Sequence, residues 1–198
     1  MPYGILLGHV VYKQGLMVNP VKIAVIVNLE ALKNAKQLHI TLGHTSYYIN
    51  FFKAYAQITT PMEKSLKKDV TFCWDEECQR SLSVLKENMV TAPILVFPEW
   101  KKEFHVPVDA SCIALGAVLT QPGEGEIDHP IAFAIRKLSK AKKNYSTTNC
   151  KGLVMVYAVQ KFQHYLLGAH FEMYTNNSTL KYLVNKLMLG GRYVDGYC

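Results

Sequence analysis

Few residues of this 198-residue chain are of a type and spacing that could do chemistry. Asp109 closes the alternating run FHVPVDAS. A lone carboxylate at a strand end is ordinarily a turn or cap residue. Further on, YSTTNCKGLVMVYA opens like a helix, with hydroxyls at Ser146, Thr147 and Thr148 ahead of an apolar run. Such an opening usually carries an acid in its first turn, where it complements the helix dipole. Here that turn reads Asn149, Cys150, Lys151. Between Asp128 and Glu172 there is no acid, yet Arg136, Lys137, Lys140, Lys142, Lys143, Lys151 and Lys161 fall there. An acid-free basic stretch suits a polyanion, and it equally suits a solvated surface; the net charge of +7 agrees with both. The five cysteines are scattered, odd in number and without a C-x-x-C pair. That spacing argues against a disulfide framework and against zinc. His39 and His44 are five apart, not the four that aligns two ligands on a helix face.

These residues need elements to position them. GILLGHVVYKQGLMV reads as one hairpin turning at Lys13-Gln14-Gly15. Asn19-Pro20 caps and starts a helix running to about Ala31. Asn34 opens another, broken near Gly43, and SYYINFFKAYA continues helically with a core-facing aromatic stripe from Tyr47 to Tyr55. Thr60-Pro61 starts a further short helix. Asp75 caps the clearest helix, with Cys78, Leu82, Leu85 and Met89 on one face, and APILVFPEW follows as a connector. The second half then reads strand, strand, strand, helix, strand, helix. Its strands are FHVPVDAS, ALGAVLTQ, IAFAI and FEMYT; Pro107 suits an edge or a distorted strand. Gly168 stops the long helix, and Ser178 caps the last one. The first three strands form an antiparallel meander. The fourth, reached through a helix, lies parallel in the same sheet. If it pairs beside the first, Asp109 and Asn176 come to lie side by side, and crevices at strand C-termini favour ligands. The fold class is therefore mixed α+β or α/β. The longest apolar run, Leu153 to Val159, is far short of the ~18–20 residues that span a bilayer. The expectation is a soluble intracellular protein, cytoplasmic or nuclear, with no membrane partner and no signal peptide.

A set of ordered motifs goes further: LLGH, VNPVKI, LGHTSYY, PMEKSLKKD, APILVFP, VDAS, LGAVL, PIAFA, RKLS, NYSTT, HYLLG, LKYL and GGR. In this order and spacing the chain resembles the pol polyprotein of gypsy-type LTR retrotransposons, particularly those of plants. The resemblance implies a reverse transcriptase palm-end hairpin and thumb/connection region over residues 1–100. It implies an RNase H-like domain, C-terminally truncated, over residues 101–198. The family's paired polymerase aspartates lie upstream, and no Asp-Asp pair occurs here.

What the resemblance implies for chemistry is hydrolysis of RNA in an RNA–DNA hybrid by two Mg²⁺ ions. One ion activates water and the other stabilises the leaving oxygen. Mg²⁺ takes hard, charged oxygens, and two divalent ions held close together need anionic ligands to offset their repulsion. Of the family's four acids, the first falls on Asp109, a metal ligand by this carry-over. The second falls on Lys151, with Asn149 at the companion glutamate, and the third on Asn176, followed by Asn177. The fourth would lie beyond Cys198. A glutamate at 151 could also have served a capping box with Thr148. Ile49, His39 and Ile135 depart from the family pattern too, and after Gly191-Arg192 the chain reads YVDGYC.

The expectation is a retrotransposon reverse transcriptase/RNase H segment without two-metal catalysis. Its partners would be RNA–DNA hybrid or other nucleic acid, held through Arg136, Lys137, Lys140, Lys142 and Lys143, and the rest of the polyprotein. The alternatives are an active metal-dependent RNase H endonuclease and a non-catalytic structural or interaction module.

Overall fold

The computed structural model describes residues 3–67, 71–139 and 146–175. The chain divides into two compact units, Met1–Leu95 and Val96–Cys198.

In the first unit, β1 (Gly4–Leu6), β2 (His9–Tyr12) and β3 (Gly15–Val18) form an antiparallel meander, not the single expected hairpin. The extra turn is Leu7-Gly8, both at positive φ (46° and 74°). Two central residues at positive φ match the twist of the flanking strands. Leucine is disfavoured there, so its sequence reads as strand. Neighbouring side chains hold it: the Tyr48 hydroxyl donates to the Gly8 carbonyl at 2.7 Å, and the Tyr47 hydroxyl donates to the Leu7 carbonyl.

Helix α1 (Pro20–Val27) starts as expected, with Asn19 Oδ1 accepting from the Val21 N–H at 2.9 Å, but ends short of Ala31. Helix α2 (Ala35–Ser46) is capped by Asn34 and runs straight through Gly43 instead of breaking. Its buried Leu38, Thr41 and Thr45 outweigh the ~1 kcal/mol a mid-helix glycine costs. The aromatic stretch is not one helix. A 3₁₀ turn (Ile49–Phe51) is followed by Ala54 at φ 66°, which redirects the chain into α3 (Tyr55–Lys64). Tyr48, Phe51, Phe52 and Tyr55 are core as expected, whereas Tyr47 is exposed. Pro61 lies inside α3 and does not begin a helix. It forfeits one backbone bond, but the Thr59 and Thr60 hydroxyls donate back to the Tyr55 and Ala56 carbonyls and hold the turn. Helix α4 (Glu76–Val90) buries Cys78, Leu82, Leu85 and Met89, the face its spacing predicts. Within the expected connector, Leu95–Val96 forms a short strand, β4, beside β3.

Asp75 Oδ1 accepts from the Cys78 N–H at 2.8 Å, and that bond holds the carboxyl below its ordinary value. The unfolded value is near ~3.9. The cap therefore stabilises the fold fully above that pH and is lost as pH falls through the lower folded value. Asp75→Asn keeps an acceptor but does not titrate. Thermal unfolding of the two proteins should converge as pH is lowered from about 5 to about 2; a constant gap would refute this role.

In the second unit, β5 (Phe104–Ala110), β6 (Ala114–Pro122), β7 (Asp128–Lys137) and β8 (Phe171–Tyr174) form a sheet of order β7-β6-β5-β8. β5, β6 and β7 are antiparallel neighbours, and β8 runs parallel to β5, as expected. β7 is longer than expected and takes in the end of the turn-rich loop. Pro107 sits in a central strand, not an edge, between the pairs His105↔Thr120 and Val108↔Ala117. Helix α5 (Thr147–Leu166) packs on β5 and β6, with Gly168 at φ 78° just past its end. Its buried face of Cys150, Val154, Ala158, Phe162 and Leu166 closes the core over Phe104, Val106, Leu115 and Leu119. The expected final helix after Ser178 lies outside the described residues.

Candidate functional site

Asp109 is the second-last residue of β5, placed by the pairs Val108↔Ala117 and Asp109↔Gly116. The turn that follows is locked by Ser111, whose Oγ accepts from the Ile113 and Ala114 N–H groups at 3.2 and 3.1 Å. The VDAS motif thus combines a projecting carboxylate with the residue that sets its turn.

Helix α5 begins at Ser146, whose Oγ accepts from the Asn149 N–H at 3.2 Å. Asn149 is therefore the third helical residue, the position from which a glutamate would complete a capping box. Position 151 has no such role, and this corrects the expectation that an acid there could serve Thr148. What Lys151 does instead is reach across to β5: its Nζ lies 4.0 Å from Asp109 Oδ1. The lysine side chain is only 12% exposed, the aspartate 77%.

The basic residues gather at the same end of the sheet. Asp109, Gly116 and Ile135 form one row across β5, β6 and β7. Arg136 and Lys137 come next on β7, which runs in the same direction as β5, and both are exposed. Successive strand residues face opposite sides. Arg136 lies over the Tyr157 ring of α5, 6.0 Å from its centroid, and Lys137 projects from the other face. Burial pushes the Tyr157 hydroxyl up, and the Arg136 charge partly opposes that. Lys140, Lys142, Lys143 and Asn176 lie outside the described residues. The β5–β8 register is described as far as Pro107↔Tyr174. Among the described residues, the end of the sheet with the one carboxylate of Asp109 carries three cations: Lys151 beside it, and Arg136 and Lys137 on opposite faces of β7. That excess attracts phosphate and repels divalent metal.

The donor set does not fit a two-Mg²⁺ centre. Asp109 is its one described anionic oxygen donor, and an ammonium stands beside it. Among the described residues no three His, Cys, Asp or Glu side chains are grouped so that they could hold a metal. No helix among them is long and apolar enough to cross a membrane.

A second polar cluster escaped the sequence reading. His105 Nδ1 lies 3.0 Å from Asp128, which also accepts from the Thr120 hydroxyl at 2.9 Å. One carboxylate thereby ties three strands. Beside it the Tyr174 hydroxyl donates to Glu172 at 2.6 Å, a bond that pushes the phenol up to about 12. His105 and Asp109 are four residues apart on β5, about 13 Å. His105, Thr120 and Asp128 meet only through strand register, so no local pattern announces them.

A three-stranded meander with a parallel fourth strand beyond a crossover helix, and an aspartate at the end of its first strand, defines an RNase H-like domain. The family model described as the RNase H-like domain found in reverse transcriptase matches residues 74–173, and the chain belongs to that family, in the form carried by retrotransposon Pol polyproteins. It is 37% identical over 180 residues to the retrovirus-related Pol polyprotein from transposon 297 of Drosophila melanogaster, covering 90% of this chain and 16% of that protein. The Pol polyprotein from transposon 412 of the same organism is 33% identical, with coverages of 89% and 14%. The transposon Tf2-3 polyprotein of Schizosaccharomyces pombe is 32% identical, with coverages of 68% and 10%. The chain thus spans less than a fifth of the length of these curated relatives. Two solved structures of the foamy viral protease-reverse transcriptase share its fold. The complex with dsDNA has a TM-score of 0.75 at 18% identity, covering 99% of this chain and 40% of that one. The complex with RNA/DNA hybrid also scores 0.75 at 18%, covering 98% and 26%.

Proposed function

We propose that this chain is the thumb/connection region (residues 1–100) and RNase H-like domain (101–198) of a gypsy-type reverse transcriptase, and that it holds nucleic acid without cleaving it. It would work inside the cell as part of a longer polyprotein. The single observation that carries the non-cleaving half is the Lys151 ammonium 4.0 Å from Asp109, where two-metal chemistry needs a second carboxylate. Each such loss lowers the rate on the order of a thousandfold. The binding half is supported by the excess of cations at that strand end. It is supported too by the double-stranded DNA and RNA/DNA hybrid held by the foamy viral relatives of its fold.

The test is a labelled RNA–DNA hybrid incubated with Mg²⁺ or Mn²⁺. The RNA strand should stay intact while the hybrid binds with an affinity that falls as salt rises, through counterion release. Replacing both Arg136 and Lys137 with glutamine should lower the salt slope by about 2. Cleavage that vanishes in Asp109→Ala would make the chain an active endonuclease instead. Affinity indifferent to salt would make it a protein-interaction module.

A further inference from the structure

We infer that Lys151 is a tethered cation that replaces a divalent ion at Asp109, so that the strand end carries its countercharge within the chain. The inference rests on the RNase H-like reading of this site and goes beyond it, because it concerns how the fold is neutralised and not what it binds or cleaves.

Three observations carry it. The first is distance. The gap from Asp109 Oδ1 to Lys151 Nζ is 4.0 Å, so the ammonium lies within ion-pair distance of the carboxylate. The second is burial. The lysine side chain is 12% exposed, and an arm so enclosed does not swing aside to admit an ion. The third is the role of position 151 in the helix. Ser146 and Asn149 account for the opening of α5, so residue 151 takes no part in the cap and its ammonium reaches Asp109. The pair is electrically neutral as it stands. A carboxylate at 151 would bring two anions together, a repulsion that a bound cation between them would relieve.

Thermal unfolding of the full chain, with EDTA or with Mg²⁺ or Mn²⁺ and no nucleic acid present, tests this. The unaltered chain should shift by less than about 1 °C on adding millimolar metal, since a ligand stabilises only what binds it. Lys151→Glu should melt lower in EDTA and regain several degrees in Mn²⁺, and Lys151→Glu with Asp109→Asn should not respond. Lys151→Gln guards against a glutamate variant that fails to fold. With the cation gone, Mn²⁺ should broaden the amide resonances of Asp109, Ala110 and Gly116 in Lys151→Gln and leave them sharp in the unaltered chain. The inference is overturned if the unaltered chain shows a saturable Mn²⁺ shift that Asp109→Asn abolishes. Equal Mn²⁺ broadening in the unaltered and Lys151→Gln chains would overturn it too. A folded Lys151→Glu chain that ignores metal would do the same. None of these readouts depends on hybrid binding or cleavage, so failure here is separable from failure of the proposed function.

Discussion

Phe162→Ala is expected to cost the second unit about 3–5 kcal/mol, the range for emptying an aromatic site in a packed core. The ring is 2% exposed and sits in the row Cys150, Val154, Ala158, Phe162, Leu166 along α5. That row closes over Phe104 and Val106 of β5 and Leu115 and Leu119 of β6, which are themselves 0–1% exposed. Close packing leaves these neighbours little room to collapse into the void. Domains are stable by only about 5–15 kcal/mol, so the loss is a large share of the total. Function should follow, because α5 carries Lys151 to Asp109 and Tyr157 to Arg136. Urea unfolding monitored by circular dichroism measures the loss. Val156→Ala, on the exposed side of the same helix, should change stability by no more than about 0.5 kcal/mol. A loss below about 1.5 kcal/mol for Phe162→Ala would mean that α5 is not held by this core.

The second large effect is Gly15→Ala. A Cβ built there would lie 2.1 Å from the Leu95 carbonyl oxygen and 2.9 Å from its carbon. Both are backbone atoms of the neighbouring strand, and backbone cannot rotate away as a side-chain tip can. Either β3 and β4 separate or β3 shifts register, which turns its buried and exposed residues over. The expected loss is about 2–4 kcal/mol, in the range of overpacking with added backbone strain. Amide hydrogen exchange should show lost protection at β3 and β4. Gly43→Ala should do the opposite. Nothing lies within 4 Å of a Cβ there and the residue is helical, so alanine should stabilise by about 0.5–1 kcal/mol. Equal effects at the two glycines would refute the steric argument.

The sequence was most legible where the governing physics is local. Asn19, Asn34 and Asp75 each cap the helix they precede, because a short polar side chain beside a free N–H finds it within three residues. The face of α4 could be read from its spacing, and so could the alternation that makes β5 a strand, since burial follows the period of the element. The parallel direction of FEMYT in the sheet followed from the crossover helix before it, whereas its place beside β5 is shown by the register. Local rules misled where neighbours distant in the chain overrode them. Leu7-Gly8 turns because two tyrosines of the following helical segment hold its carbonyls. Pro61 continues a helix because threonine hydroxyls secure the turn around it.

For the candidate site, sequence by itself determined which residue types are present: Asp109 kept, no acid at 149 or 151, and a long stretch without negative charge. It determined the strand and the helix that carry them, because periodicity and caps are local. Only the tertiary structure decided what those residues do to one another. It placed the Lys151 ammonium against Asp109 and gave the helix start to Ser146. It gathered Arg136 and Lys137 at the same strand end, and joined His105 to Asp128 across the sheet. The reason is physical. Charge acts through space at a few ångströms, and which charges come that close is set by strand register and by how a helix seats on a sheet.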